Sequence, residues 1–223
     1  MRDYRMSSKL TEELNDISTH AQAVVPAGIL EAFTANQARN VASAEPSKFA
    51  TVGSTVIDFK LPEAVGGEVA LDELVADGPA VVVFYRGAWC PYCSLTLRTY
   101  QQELLPEVTR LGGRLVAISP QVPDGSLSTK ESNELEFTVL SDVGNTVARS
   151  LGITHDQSEG YQEALKSFGK DLGVVNGTGE WELPYPTVLV IDQNKIIRFI
   201  DVHPDYTTRT DPSDIVAALA SPH

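Results

Sequence analysis

The two cysteines of this chain, Cys90 and Cys93, stand in the run Gly87-Ala88-Trp89-Cys90-Pro91-Tyr92-Cys93. A C-x-x-C pair can close a disulfide, contribute to a metal site or pack as two buried thiols. Pro91 suits the first position of a helix, because proline has no N–H to leave unsatisfied and its φ is already near the helical value. Cys90 is then the N-cap, and its side chain is expected to accept hydrogen bonds from the N–H groups of Tyr92 and Cys93 at the positive end of the helix dipole. A thiolate is favoured there: such a setting lowers a cysteine pKa from ~8.5 to between about 3.5 and 7.5. Cys90 is expected to face solvent. Cys93, one turn in, points inward and lies close enough to close a disulfide.

Two plainer readings compete. A structural pair of buried thiols does not explain why Trp89 and Pro91 bracket the first cysteine. Zinc needs more ligands, and His20, His155, His203 and His223 are scattered, with no second C-x-x-C and no close histidine pair. The redox dithiol is the reading taken, with no metal and no cofactor.

The elements that must position the pair are legible around it. Residues 80–85 form a continuous β-branched and aromatic run, the pattern of a strand buried on both faces. Leu97, Tyr100, Leu104, Val108 and Leu111 follow at helical spacing up to Gly112-Gly113, and Pro106 should kink that helix. Residues 115–118 are the next strand, completing a right-handed βαβ unit. Further on come a helix at 126–135, a strand at 137–140 and helices at 145–151 and 159–168. Strands at 187–191 and 196–200 are joined by a turn short enough to force a hairpin, and a last helix covers 214–220. Before the buried strand, 56–60 and 68–70 read as short strands around Gly66-Gly67, with a short helix at 71–75. Leu10, Leu14, Ile17, Ala21 and Val24 make one apolar stripe on a helix at about 9–25, and 29–44 reads as a second helix. The whole is an α/β chain: a mixed sheet flanked by helices over residues 49–223, with a helical N-terminal extension over 1–48.

The composition narrows the function. Seventeen Lys and Arg against thirty Asp and Glu give a formal charge of −13, which repels phosphate backbones and anionic membrane surfaces. Nucleic-acid and membrane binding are not expected. The longest apolar stretches fall far short of the ~20 residues that span a bilayer. Residues 1–10 are polar throughout, unlike a secretory signal, so a cytoplasmic location is expected. The stripe from Leu10 to Val24 must bury itself against this chain or a second copy, and a homodimer is the expected association.

W-C-P-Y-C after a buried strand resembles the thioredoxin superfamily, and C-P-Y-C is familiar from glutaredoxins. Asp58-Phe59-Lys60-Leu61-Pro62, the run from Phe84 to Cys90, and Val188-Leu189-Val190-Ile191-Asp192 are similar to the peroxiredoxin branch, particularly the peroxiredoxin-like redoxins of the AhpC/TSA group. The resemblance implies a thioredoxin-like fold and thiol-dependent reduction of hydroperoxides, with electrons from an external thiol such as a thioredoxin or glutathione. Peroxiredoxins carry Pro-x-x-x-Thr-x-x-Cys here. This chain has Arg86, Cys90 and Cys93 at the Pro, Thr and Cys positions, so only the peroxidatic position, Cys93, matches. The arginine that orients the peroxide in that family has no counterpart before the strand at 187–191. Pro186-Thr187 stands there instead, as in thioredoxins, and implies a cis Tyr185–Pro186 bond whose backbone binds a disulfide partner.

Arg86 is a candidate to stabilise a thiolate or polarise a peroxide, against the plainer role of an ion-paired strand end. Trp89 is a candidate to shield the dithiol, against core packing. Nothing in the spacing requires His155, His203, Tyr206 or Arg209 at the site. The function read from the sequence is a peroxidase working through a Cys90/Cys93 couple. Disulfide exchange on protein or glutathione disulfides, with Cys90 attacking, is the alternative, and a non-catalytic redox sensor or binding module is the third reading.

Overall fold

A computed structural model describes residues 8–221; residues 1–7 of the polar N-terminal stretch, and His223, lie outside the described residues. Two helices come first, α1 (Lys9–Val24) and α2 (Ala27–Ser43), separated where Pro26 stops the first. Ser8 caps α1, its side-chain oxygen accepting from the Thr11 N–H at 3.2 Å. A small hairpin follows, β1 (Lys60–Pro62) with β2 (Glu68–Ala70), then α3 (Leu71–Val75). The strand expected at 56–60 starts later than its sequence pattern implies. Thr55 bridges to Ile196 and the Val56 N–H donates to the Lys195 carbonyl, so this stretch is spent on the far edge of the main sheet.

The main sheet has five strands in the order β5-β4-β3-β8-β9. Its centre is β3 (Ala80–Phe84), parallel to β4 (Arg114–Ser119) and antiparallel to β8 (Thr187–Ile191). The edges are β5 (Thr138–Ser141), parallel to β4, and β9 (Ile197–Val202), which closes the expected hairpin with β8. All five residues of β3 are buried, and they alternate between two cores. Val81 and Val83 enter one, with Leu97, Tyr100 and Leu104; Ala80, Val82 and Phe84 enter the other, with Leu71, Ile118 and Leu189. That two-sided burial is why the strand reads as an unbroken apolar run.

After β3 the chain turns into α4 (Pro91–Thr99), passes through a π-helical turn at Tyr100–Leu104 and continues as α5 (Leu105–Arg110). Pro106 cannot donate the backbone hydrogen bond a regular helix needs, and the ladder widens just ahead of it, with the Leu105 N–H reaching the Tyr100 carbonyl. The expected kink is therefore a π-turn. Helix α6 (Pro123–Ser132) begins earlier than the apolar pattern implied, because Pro123 occupies its first turn. Then α7 (Thr146–Ser150), a two-residue strand β6 (Thr154–His155), α8 (Glu159–Ser167), α9 (Leu172–Val175) and β7 (Leu183–Pro184) complete the middle, with β6 pairing β7. Helix α10 (Pro212–Ala220) ends the fold, capped by the Asp211 side chain. This is the thioredoxin-like α/β architecture, with a helical extension packed on it.

The extension is held by both apolar and polar contacts. Leu10, Leu14 and Ile17 of α1 join the core that contains α4. On α2 the buried residues are Asn36 and Asn40. Asn36 donates to Gln157 Oε1 at 2.9 Å and accepts from the Ser158 N–H at 2.9 Å. Asn36→Ala leaves the buried Gln157 amide oxygen and the half-buried Ser158 N–H of the α8 lead-in unpaired and should lower unfolding stability by about 1–3 kcal/mol. A shift of the urea midpoint at constant slope measures it.

Candidate active site

Strand β3 delivers the chain directly to the cysteines. The Tyr85 N–H still bonds to the Ile118 carbonyl, and the Arg86 N–H then donates to Cys93 Sγ at 3.5 Å. Gly87 makes the turn at φ 143°; a Cβ there would lie 2.5 Å from Trp89 Nε1 and 2.9 Å from Gln121 Oε1. Gln121 Oε1 accepts from the Ala88 N–H at 2.6 Å, and the Cys90 N–H closes the turn on the Gly87 carbonyl at 3.2 Å. Cys90 is the N-cap of α4 and Pro91 its first residue, as expected.

The N-cap chemistry differs from the expectation. The Cys90 side chain accepts no capping hydrogen bond from the first turn, and Cys90, like Cys93, is only 1% exposed rather than facing solvent. Its sulfur turns away from the helix end toward Cys93 and Arg86, whose Nη1 lies 3.8 Å away. Both thiols are free.

The two sulfurs are polarised in opposite senses. Burial pushes the Cys90 thiol up, and its hydrogen bond to Cys93 and the charge on that sulfur push it further. Burial acts the same way on Cys93. There it is outweighed by the hydrogen bond from Cys90, the Arg209 and Arg86 guanidinium groups and the Arg86 N–H, which together hold Cys93 well below the ordinary thiol value. Cys93 is thus the thiolate, and Cys90 the thiol that donates to it.

Arg86 is fully buried yet charged. Burial works against the charge; Tyr161, Cys90, Tyr206 and Cys93 hold it, none of them a carboxylate. Its Nη2 donates to the Tyr161 hydroxyl, and its guanidinium carbon sits 4.9, 5.7 and 4.1 Å from the Trp89, Tyr161 and Tyr206 ring centroids. Arg209 arrives from the far end of the sequence, on the loop after β9, and its Nη2 donates to Cys93 Sγ at 3.3 Å. That loop is pinned from β9: Asp201 Oδ2 accepts from Thr210 Oγ1 at 2.9 Å and pairs with His203 Nε2 at 3.0 Å. Tyr100 of the π-turn donates to the Thr210 carbonyl at 2.6 Å.

Of the residues singled out in the sequence, the structure brings Cys90, Cys93, Arg86 and Trp89 together and adds Arg209 and Tyr206. Tyr161, which no sequence signal marked, joins them from α8. Pro186 and Thr187 do not reach the sulfurs through a hydrogen bond: Thr187 Oγ1 donates to the Tyr185 carbonyl at 2.9 Å. The Tyr185–Pro186 bond is trans, contrary to the expectation. The chain runs extended from β7 into β8, and the Pro186 carbonyl is occupied by the His203 N–H at 2.9 Å, so it is not free to receive a disulfide partner. His155 stacks on Tyr185 at 4.2 Å and burial pushes its pKa down to about 3, which keeps it neutral and structural. Among the described residues no three His, Cys, Asp or Glu side chains gather as a metal site.

A cleft of about 610 Å³ opens over Cys90 and Arg86. Its floor is Trp89, Pro91 and Tyr161, and its roof is the extension, with Ile17 and Ala21 from α1 and Leu30 and Phe33 from α2. Ser18 and Tyr92 hydrogen-bond across it at 2.9 Å. Cys93 lies behind Cys90 and does not line it.

A buried dithiol at the start of a helix that follows the central strand of a mixed sheet is the arrangement of thioredoxin-fold redox proteins. Residues 52–200 match the AhpC/TSA family model, and the chain belongs to that family, a peroxiredoxin-like member of the thioredoxin superfamily. A Mycobacterium tuberculosis protein carrying a peroxiredoxin name is 32% identical over 101 residues, 45% of this chain and 65% of its own. The chloroplastic peroxiredoxin Q of Gentiana triflora is 30% identical over 116 residues, 51% of this chain and 52% of its own. The chain therefore spans just under two thirds of the former and about half of the latter. Among solved structures, the peroxidoxin BcpB of Mycobacterium tuberculosis superposes with a TM-score of 0.58 at 24% identity, over 75% of this chain and 95% of that one. Among the described residues no helix is long and apolar enough to cross a membrane.

Proposed function

We propose that this chain is a thiol-dependent peroxidase that reduces hydroperoxides through the Cys90/Cys93 couple. The observation that carries the reading is the Cys93 sulfur, which accepts from Arg209 at 3.3 Å and from the Arg86 N–H at 3.5 Å, a setting that pushes its pKa well below the ordinary thiol value. The thiolate attacks one peroxide oxygen and the O–O bond breaks. Cys93 becomes a sulfenic acid, and the departing alkoxide takes its proton from the Cys90 thiol. Cys90, now a thiolate, attacks the Cys93 sulfur and expels hydroxide, which solvent protonates, and the Cys90–Cys93 disulfide closes. External thiol supplies two electrons to reopen it. Cys90 thus combines the place of the family's threonine, which addresses the peroxide, with that of the resolving thiol.

The chain divides, on this reading, into the extension at 1–48 and the thioredoxin-like domain at 49–223, and works in the cytoplasm. A homodimer belongs to the same reading, although the apolar residues Leu10, Leu14 and Ile17 are covered by their own chain. Disulfide exchange on proteins would need an accessible attacking sulfur, and Cys90 is buried.

Reduced protein mixed with hydrogen peroxide should consume it stoichiometrically and gain one intramolecular disulfide, read by intact mass and thiol counting. Its insulin-reducing activity should be slow by comparison. Fast insulin reduction without peroxide consumption would replace this reading by disulfide exchange.

A further inference from the structure

The reductant has to reach a disulfide that lies under a roof. Helices α1 and α2, which stand before the family-matched residues 52–200, cover the face over Cys90, and both cysteines are 1% exposed. The roof is tied down on several sides: Ser18 to Tyr92, Asn36 to Gln157 and Ser158, and Gln37 to Asp205 at 2.6 Å. A protein thiol presented on a domain surface must displace these contacts, whereas a small molecule need only enter the cleft, whose ~610 Å³ lies in the range of small-ligand sites.

The lining also has a sign. In a chain with thirty acidic residues, no Asp or Glu lines the cleft, while two cations do. Arg86 stands at its floor with no carboxylate among the groups that hold its charge, and its Nε is buried without a hydrogen-bond partner. Lys170 stands at the rim, exposed. Val25, Leu30 and Leu165 add apolar wall to the same cleft. The overall charge of −13 repels anions at long range, so selection for an anion has to come from the cleft itself.

We infer that the Cys90–Cys93 disulfide is reset by a low-molecular-weight thiol bearing a carboxylate, which enters the cleft between the extension and the dithiol and attacks Cys90. This rests on the proposed disulfide couple. The incoming thiolate bonds to Cys90 Sγ, the Cys90–Cys93 bond breaks, and its electron pair stays on Cys93 as the thiolate. A second molecule of the thiol attacks the first at its sulfur and releases Cys90, which takes up a proton, and the two thiols leave as their disulfide. Attack falls on Cys90 because that cysteine lines the cleft, and because Cys93, the more acidic thiol, is the better leaving group. Oxidation by peroxide and reduction by thiol then alternate on the one couple, which gives ping-pong kinetics.

Oxidised full-length protein is mixed with 3-mercaptopropionate, 2-mercaptoethanol or cysteamine, and rates of disulfide opening are compared at equal thiolate concentration, each divided by the same thiol's rate on a small uncharged disulfide to remove differences in intrinsic nucleophilicity. The anionic thiol should be fastest and the cationic one slowest, by about tenfold end to end. Lys170→Glu should flatten or reverse the order. In Cys93→Ser, the disulfide of 3-mercaptopropionate should leave a mixed disulfide on Cys90, located by peptide mass spectrometry. Should that variant not fold, the charge order on the wild type decides. The inference is overturned if cysteamine is fastest, if the order is flat in the wild type, or if a thioredoxin opens the disulfide faster than all three. Failure of the protein to form any disulfide with peroxide strikes the proposed function instead.

Discussion

Cys93→Ser should lose hydroperoxide consumption by on the order of 10⁴-fold or more, the scale seen when an enzyme's nucleophile is removed, while Cys90→Ser should still form a sulfenic acid and then stall after one turnover. The asymmetry follows from the opposite polarisation of the pair. Cys93 accepts hydrogen bonds from the Arg86 N–H at 3.5 Å and Arg209 at 3.3 Å, so its sulfur carries the charge that attacks oxygen. Burial, the largest of the causes that push Cys90 toward the protonated form, persists when its partner is gone, so Cys90 is a poor substitute for Cys93 in attack on a peroxide. Serine at 90 keeps a hydroxyl that can donate to the departing oxygen, which preserves the first step, but it provides no sulfur to resolve the sulfenic acid. A brief peroxide pulse, dimedone trapping and peptide mass spectrometry read both variants. Label should fall on Cys93 in Cys90→Ser and be missing in Cys93→Ser. Label on Cys90 in Cys93→Ser, with none on Cys93 in the other variant, reverses the assignment.

On that assignment the sequence offers two answers, the family register favouring Cys93 and the helix N-cap favouring Cys90. The C-x-x-C spacing, Pro91 at the helix start and the apolar run of β3 are local signals, and each stands where its pattern places it. The Cys90 side chain makes no cap bond because the helix terminus is not the only source of charge stabilisation within its reach. A cap bond competes with whatever else the sulfur can reach, and here Cys90 reaches a buried guanidinium and a thiolate. Arg209 lies 116 residues from Cys93 in sequence, and no periodicity or motif links the two. Only the turn of β9 into the pinned loop that follows brings them together. Tyr161 was invisible for the same reason: on α8 its spacing reads as an ordinary apolar stripe, and its hydroxyl gains meaning only once Arg86 is seen to be buried. The Pro186 expectation failed through context. The backbone of the residue is taken up by an extended entry to β8 and the His203 N–H, which leaves no carbonyl for a partner.

Arg86→Met should lower reactivity and stability together. A buried cation without a carboxylate is costly, and its compensation here is the Cys93 thiolate, the Tyr161 hydroxyl and three aromatic rings. Methionine fills similar volume, but it removes one partner of a buried charge pair, and that costs about 3–5 kcal/mol while the other partner stays ionised. The thermal midpoint of the variant is therefore expected to fall, by less to the extent that Arg209 still holds the Cys93 charge. Reactivity should fall by about 10²–10³, the usual loss when one buried donor to a developing anion is removed. The pH dependence carries the sharper signature. With its native pKa depressed, Cys93 is already ionised in the fold at pH values where the unfolded chain still holds the proton. It therefore adds stability that is complete above the ordinary thiol value of about 8.5 and is lost as pH falls through the native value. Cys90, raised by burial first and by its neighbour second, acts in the opposite sense and withdraws stability once pH climbs above about 8.5. Unfolding free energy of the reduced wild type should thus rise with pH up to that point from this pair, and the rise should shrink in Arg86→Met. Thiolate absorbance near 240 nm, titrated on both proteins, measures the same displacement directly. An unchanged Cys93 titration in a folded, slow variant would show that Arg86 acts on the peroxide rather than on the sulfur, and the electrostatic role of the buried guanidinium would pass to Arg209 alone.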